Sequence, residues 1–105
     1  MFIELIRAAV LSFVLSVSPN SGQAPLQVHA QVQVNGPYQG PVCLVVLQHK
    51  EFLAGPFCTE FELNVAEDRV DFADLSITGT KPGEYEFVAV GIDVASEPVT
   101  VTILP

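Results

Sequence analysis

Two cysteines, two histidines and a cluster of carboxylates are the residues of this 105-residue chain whose types could do chemistry. If 41–49 and 57–65 form a hairpin centred between Lys50 and Glu51, Cys43 and Cys58 face each other across it, close enough for a disulfide. The sequence leaves two states open for them, a cross-strand bridge and two free, partly buried thiols. A redox-active pair would need Cys-x-x-Cys spacing and a helix N-terminus, and neither is present. His29 alternates outward with three glutamines, and His49 stands beside Lys50 and Glu51 in what reads as a turn. A zinc site takes three or four convergent ligands, and neither histidine has the neighbouring nucleophile and carboxylate of a triad. Glu67, Asp68, Asp71 and Asp74 gather in sequence, but without an Asp-x-Asp-x-Asp-Gly loop they read as a solvated acidic rim rather than a calcium site. A chain this short has little room for a cleft holding two catalytic carboxylates. The expectation is a protein that is not an enzyme, with no catalytic residue, no cofactor and no metal site.

The elements that position these residues are strands. Helical periodicity is almost absent, and apolar and polar residues alternate with period two. The clearest case is 26–35, where Val28, Ala30, Val32 and Val34 share one face and Gln27, His29, Gln31 and Gln33 the other. That pattern predicts a strand with one side in a core and one in water. Six more segments read as strands: 9–17, 41–49, 57–65, 70–77, 84–90 and 97–104. The strand at 41–49 is apolar on both faces, Val42, Leu44 and Val46 against Cys43, Val45 and Leu47, which predicts a central or covered position. In 57–65, Phe57, Thr59 and Phe61 share a face. A phase slip between Phe72 and Leu75 predicts a bulge or bend. Pro-Gly and Asn-Gly turn signals separate the segments at intervals of about ten residues, the layout of a β-sandwich.

Composition agrees with a folded domain: half of the residues are hydrophobic and 15% are charged. Twelve acidic side chains against four basic ones give a net charge of −8. Nucleic-acid binding needs clustered cations to replace phosphate counterions, and Arg7, Lys50, Arg69 and Lys81 are scattered singly, so no nucleic-acid partner is expected. The apolar run 8–17, followed by Gly22-Gln23-Ala24, imitates a signal peptide with its cleavage site. Glu4 beside Arg7 and Pro25 after the cut argue against one, and the run is too short for a membrane span. The reading divides the chain into an N-terminal arm or extra strand, 1–8, and a sandwich domain, 9–105.

Three stretches carry a family resemblance. Ser16-Val17-Ser18-Pro19-Asn20-Ser21-Gly22-Gln23-Ala24-Pro25-Leu26 resembles the join between strands A and B of bacterial and phage immunoglobulin-like modules, the invasin-like and PKD-like groups among them. Val70-Asp71-Phe72-Ala73-Asp74-Leu75-Ser76-Ile77 resembles their strand E. Lys81-Pro82-Gly83-Glu84-Tyr85-Glu86-Phe87, with 96–103, resembles their strands F and G. The resemblance implies an all-β, immunoglobulin-like antiparallel β-sandwich of about seven strands. It also implies a tyrosine corner at Tyr85, whose hydroxyl would bond nearby backbone; a plain core aromatic is the alternative. The chain departs from antibody-type domains in lacking Trp and a long-range cysteine pair. A fold of this kind does not fix function.

Function is then expected at the surface. Phe2, Ile3, Leu5 and Ile6 form an apolar arm, and Val45 and Leu47, with Phe52 and Leu53 in the next connection, form a second apolar patch. Tyr38 and Phe52 are the aromatics expected to be exposed. The leading expectation is a virion accessory, a capsid decoration or cement protein at the virion surface, bound to the major capsid protein or self-associated through this apolar surface. The alternative is a secreted or bacterial cell-surface adhesion module that binds glycan or protein, with a mature N-terminus near Ala24 or Pro25.

Overall fold

The period-two patterning closes two sheets face to face in the computed structural model, which describes residues 11–61, 68–72, 75–77 and 81–105. In chain order the strands are β1 Ser12–Ser18, β2 Ser21–Gln23, β3 Leu26–Asn35, β4 Gly40–Gln48, β5 Glu51–Phe61, β6 Arg69–Asp71, β7 Leu75–Ile77, β8 Gly83–Gly91, β9 Val94–Ala95 and β10 Val99–Leu104. The smaller sheet runs β1-β3-β6, with β7 also paired to β3. The larger runs β2-β10-β8-β4-β5, with β9 on β8. The protein is an all-β sandwich, as the alternation predicts.

Burial follows the pleat. Phe13, Leu15 and Val17 of β1 are buried while Ser12, Val14 and Ser16 are exposed, because successive side chains point to opposite faces. From β3 come Val28, Ala30, Val32 and Val34, and from the larger sheet Val42, Leu44, Phe87, Val101 and Ile103. Fully burying an apolar side chain of this size contributes on the order of 1.5–3 kcal/mol. Phe13 meets Tyr38 edge-on at a centroid distance of 5.2 Å. Gly91 makes that contact possible, since a Cβ there would lie 2.6 Å from the Tyr38 hydroxyl and 2.8 Å from the Phe13 ring.

The structure departs from the sequence reading in several places. The join at 16–26 contains a strand of its own, β2, which leaves the smaller sheet and pairs parallel to β10, Thr102 opposite Ser21. The sandwich is therefore antiparallel except at this one pair among the described strands. The segment 70–77 is two short strands, β6 and β7, with Phe72 buried between them at the phase slip. The expected strand 57–65 begins earlier, at Glu51, so Phe52 and Leu53 lie within β5 and not in a connection. Its 62–65 portion and the arm 1–8, with Phe2, Ile3, Leu5 and Ile6, lie outside the described residues.

The β4–β5 hairpin explains the early start. His49 and Lys50 both take positive φ, 53° and 63°, the two-residue turn whose twist matches that of its strands. Gln48 then faces Glu51 and Leu47 faces Phe52, a register centred one residue earlier than expected. Two register shifts, on either side of Val46, restore the difference, so that Leu44 faces Phe57 and Cys43 faces Cys58. One irregularity falls at Gly55, where φ is +106° and a Cβ would lie 2.8 Å from the Leu44 carbonyl oxygen.

Candidate functional site

Polar chemistry gathers in one place on the smaller sheet. Gln31 Nε2 donates to Asp71 Oδ1 at 2.8 Å, and His29 Nε2 lies 3.2 Å from the same oxygen. Hydrogen bonding from Gln31, then from His29, holds the Asp71 carboxyl below its ordinary value. Both His29 and Asp71 are about half exposed, and Asp71 borders a hollow of about 270 Å³ lined otherwise by Phe57, Cys58, Thr59, Phe72 and Leu75. Of the acidic cluster, Asp68 approaches Arg69 at 3.7 Å, while Glu67 and Asp74 lie outside the described residues. Among the described residues no three His, Cys, Asp or Glu side chains converge as a metal site. His49 is exposed in the turn.

Two tyrosines bond to backbone. Tyr85 donates its hydroxyl to the Lys81 carbonyl, the bond of a tyrosine corner. Tyr38, expected to be exposed, is 7% exposed. Its hydroxyl donates to the Pro41 carbonyl and accepts from the Ile92 N–H at 3.0 Å. Those bonds and the Phe13 and Phe61 rings pull it into the core.

The apolar features divide into two. On the outer side of the larger sheet, β4 points Cys43, Val45 and Leu47 away from the core, and β8 points Val88 and Val90 the same way. The register sets Val45 beside Val88, Cys43 beside Val90 and Leu47 beside Phe52. Phe52 is 61% exposed at one end of this strip and Ile92 58% exposed at the other. Near Ile92 a shallow hollow of about 310 Å³ is lined by Pro41, Cys43, Val45, Pro56 and Val90. Chemically this strip can only bury itself against another apolar surface. It carries no convergent donors or nucleophile. Compared with models of protein families, with curated proteins and with solved structures, the chain finds no match. The site is thus characterised by its own geometry.

The second apolar feature is a groove of about 370 Å³ where the sandwich opens between β5 and β7. Leu53, Ala54 and Phe57 line one side, Leu75 and Ile77 the other, with Val46 among the residues that complete it. Leu53 therefore belongs to this groove, apart from Val45, Leu47 and Phe52, with which the sequence reading grouped it. That reading missed Val88, Val90 and Ile92. The signal for the valines was present: 87–90, Phe-Val-Ala-Val, is apolar at both parities, as a strand covered on both faces would be.

Cys43 and Cys58 are joined by a disulfide, with Cα atoms 4.0 Å apart. The bridge crosses the outer strip between β4 and β5. Among the described residues no helix is long and apolar enough to cross a membrane.

Proposed function

We propose that this chain is a non-catalytic, immunoglobulin-like binding domain that docks on another protein through the outer face of its larger sheet. The observation that carries this reading is the apolar strip on the outer face, with Phe52 and Ile92 exposed at its ends and Leu47, Val45, Val88 and Val90 half-buried between them. Contiguous exposed apolar surface on a sandwich marks an interaction site more often than scattered single residues do. The strand order supports the immunoglobulin-like assignment, with β3 and β6 in one sheet and β4, β8 and β10 in the other, as strands B, E and C, F, G are divided in that fold. Charge narrows the partner. Glu84 and Glu86 continue the outward row of β8 beyond Val88, Glu60 stands opposite Pro41, and Asp93 follows Ile92. An apolar strip bordered by carboxylates fits a protein surface whose own apolar patch is edged by Lys and Arg.

The setting proposed is a virion, with the domain as a decoration or cement protein on the major capsid protein. Bound copies then stabilise the assembled shell by mass action, and a net charge of −8 keeps neighbouring copies from aggregating. A second reading is a secreted or cell-surface adhesion module. The Cys43–Cys58 bridge favours it, because disulfides persist in oxidising compartments.

The test is mass spectrometry of the native protein with whatever co-sediments, alongside a Val88→Asp variant. The virion reading expects shell proteins to travel with the wild type and to be lost, by tenfold or more, from a variant whose circular dichroism is unchanged. Recovery from a secreted or cell-surface fraction with no shell protein would replace it with the adhesion reading. Cleavage near Ala24, expected from the sequence for that reading, would remove β1 with its core residues Phe13, Leu15 and Val17. Equal capture by wild type and variant would remove the outer face as the docking surface.

A further inference from the structure

Strand β5 is held to the rest of the sandwich through its pairing with β4. Of its eleven residues only Phe61 is buried. Among the described strands it lies at the edge of the larger sheet and pairs with β4 alone. That ladder is broken by two register shifts. Its neighbour is the reverse case: β4 lies inside the sheet between β5 and β8, and its Val42 and Leu44 are fully buried. The Cys43–Cys58 bridge ties the exposed strand to the buried one. Cys58 is exposed, so a soluble thiol can reach it.

We infer that the Cys43–Cys58 disulfide is a redox latch: a dithiol reductant opens it and frees β5 from β4, while the remaining strands stay folded. A thiolate of the reductant attacks Sγ of Cys58, the S–S bond breaks, and Cys43 leaves as a thiolate that takes up a proton. The second thiol of the reductant then attacks the mixed disulfide and releases Cys58 as a thiol. Two electrons pass from the dithiol, which ends as a disulfide, to the protein, which ends with two thiols. Release of β5 removes Phe52 from the outer strip and takes the Leu53–Phe57 wall from the groove, uncovering Val46 and Phe87. In an oxidising compartment the latch is closed, and in a reducing one it is open. The inference rests on packing and exposure alone, not on the docking reading.

Hydrogen exchange read by mass spectrometry on the full chain tests it without any partner. Wild type is compared with and without dithiothreitol, with thiol alkylation to confirm reduction, and a Cys43→Ser/Cys58→Ser variant is measured in both conditions. The expected result is at least tenfold faster exchange across β5 on reduction, with β3 and β8 still protected. The variant is expected to exchange rapidly in β5 with or without reductant. Three outcomes would overturn the latch: β5 exchange unchanged in fully alkylated protein, loss of protection in all strands together, or a bridge that dithiothreitol opens only in denaturant.

Discussion

Tyr38 and Tyr85 carry the same phenol to opposite ends of β8, and their hydroxyls do unequal amounts of work. Tyr85 donates once, to the Lys81 carbonyl. Tyr38 donates to the Pro41 carbonyl and also accepts from the Ile92 amide, so it ties two connections of the larger sheet together. Removing one partner of a partly buried hydrogen bond leaves the other to be resolvated or orphaned, at about 1 kcal/mol per bond. Tyr85→Phe is expected to destabilise by about 1 kcal/mol and Tyr38→Phe by about 2 kcal/mol. Urea midpoints at unchanged slope measure both. Equal losses, or the reverse order, would show that the Ile92 amide does not depend on Tyr38. For Tyr85 the sequence left two roles open, a tyrosine corner after Lys81-Pro82-Gly83 and a plain core aromatic, and the bond to Lys81 decides between them. Tyr38 was not legible in sequence, because it stands among Gly, Pro and Gln with no alternation to give it a face, and the space it fills depends on Gly91, far along the chain.

Among the elements, the β4–β5 hairpin holds both the best and the worst of what could be read from the residues. The pairing of Cys43 with Cys58 is the one expected, yet the turn is centred one residue earlier, and the two register shifts restore the match. His-Lys lacks the Asn-Gly signature of a two-residue turn, so the sequence placed a turn near 49–51 but not its centre. Strand β3 is the contrast: its expected limits, 26–35, coincide with those observed. One of its faces meets the core and the other meets water, and that difference is what writes alternation into a sequence. Strand β5 faces solvent along most of its length, and its first part, 51–56, carries no such record. The turn itself is open to improvement. A non-glycine residue in the left-handed region costs roughly 1–2 kcal/mol, and His49 and Lys50 both sit there. His49→Asn with Lys50→Gly is expected to stabilise the protein by about 1 kcal/mol, after glycine's greater loss of freedom on folding is counted. The thermal midpoint should rise by about 4–8 °C; an unchanged or lowered midpoint would mean that the loop relaxes out of this conformation in solution.

At the scale of the whole molecule, charge and apolar surface pull in different directions, and salt separates the two ways of burying the outer strip. Two copies meeting through that face would bring two net charges of −8 together, with Glu84, Glu86 and Glu60 close to the contact. Such a pair is opposed at low ionic strength and relieved as the Debye length falls from about 30 Å at 0.01 M to about 8 Å at 0.15 M. A partner edged with Lys and Arg gives the opposite sign: attraction across the rim is strongest at low salt and is screened as salt rises. Sedimentation of the protein alone is therefore expected to report a monomer at low salt, with any self-association growing as salt is added. Binding to the isolated partner is expected to weaken over the same range, mainly through a slower association rate, since rim charges act more on encounter than on the buried contact. If partner binding instead holds constant or strengthens with salt, the carboxylates bordering the strip do not face cations, and the partner surface must be sought among uncharged or acidic proteins.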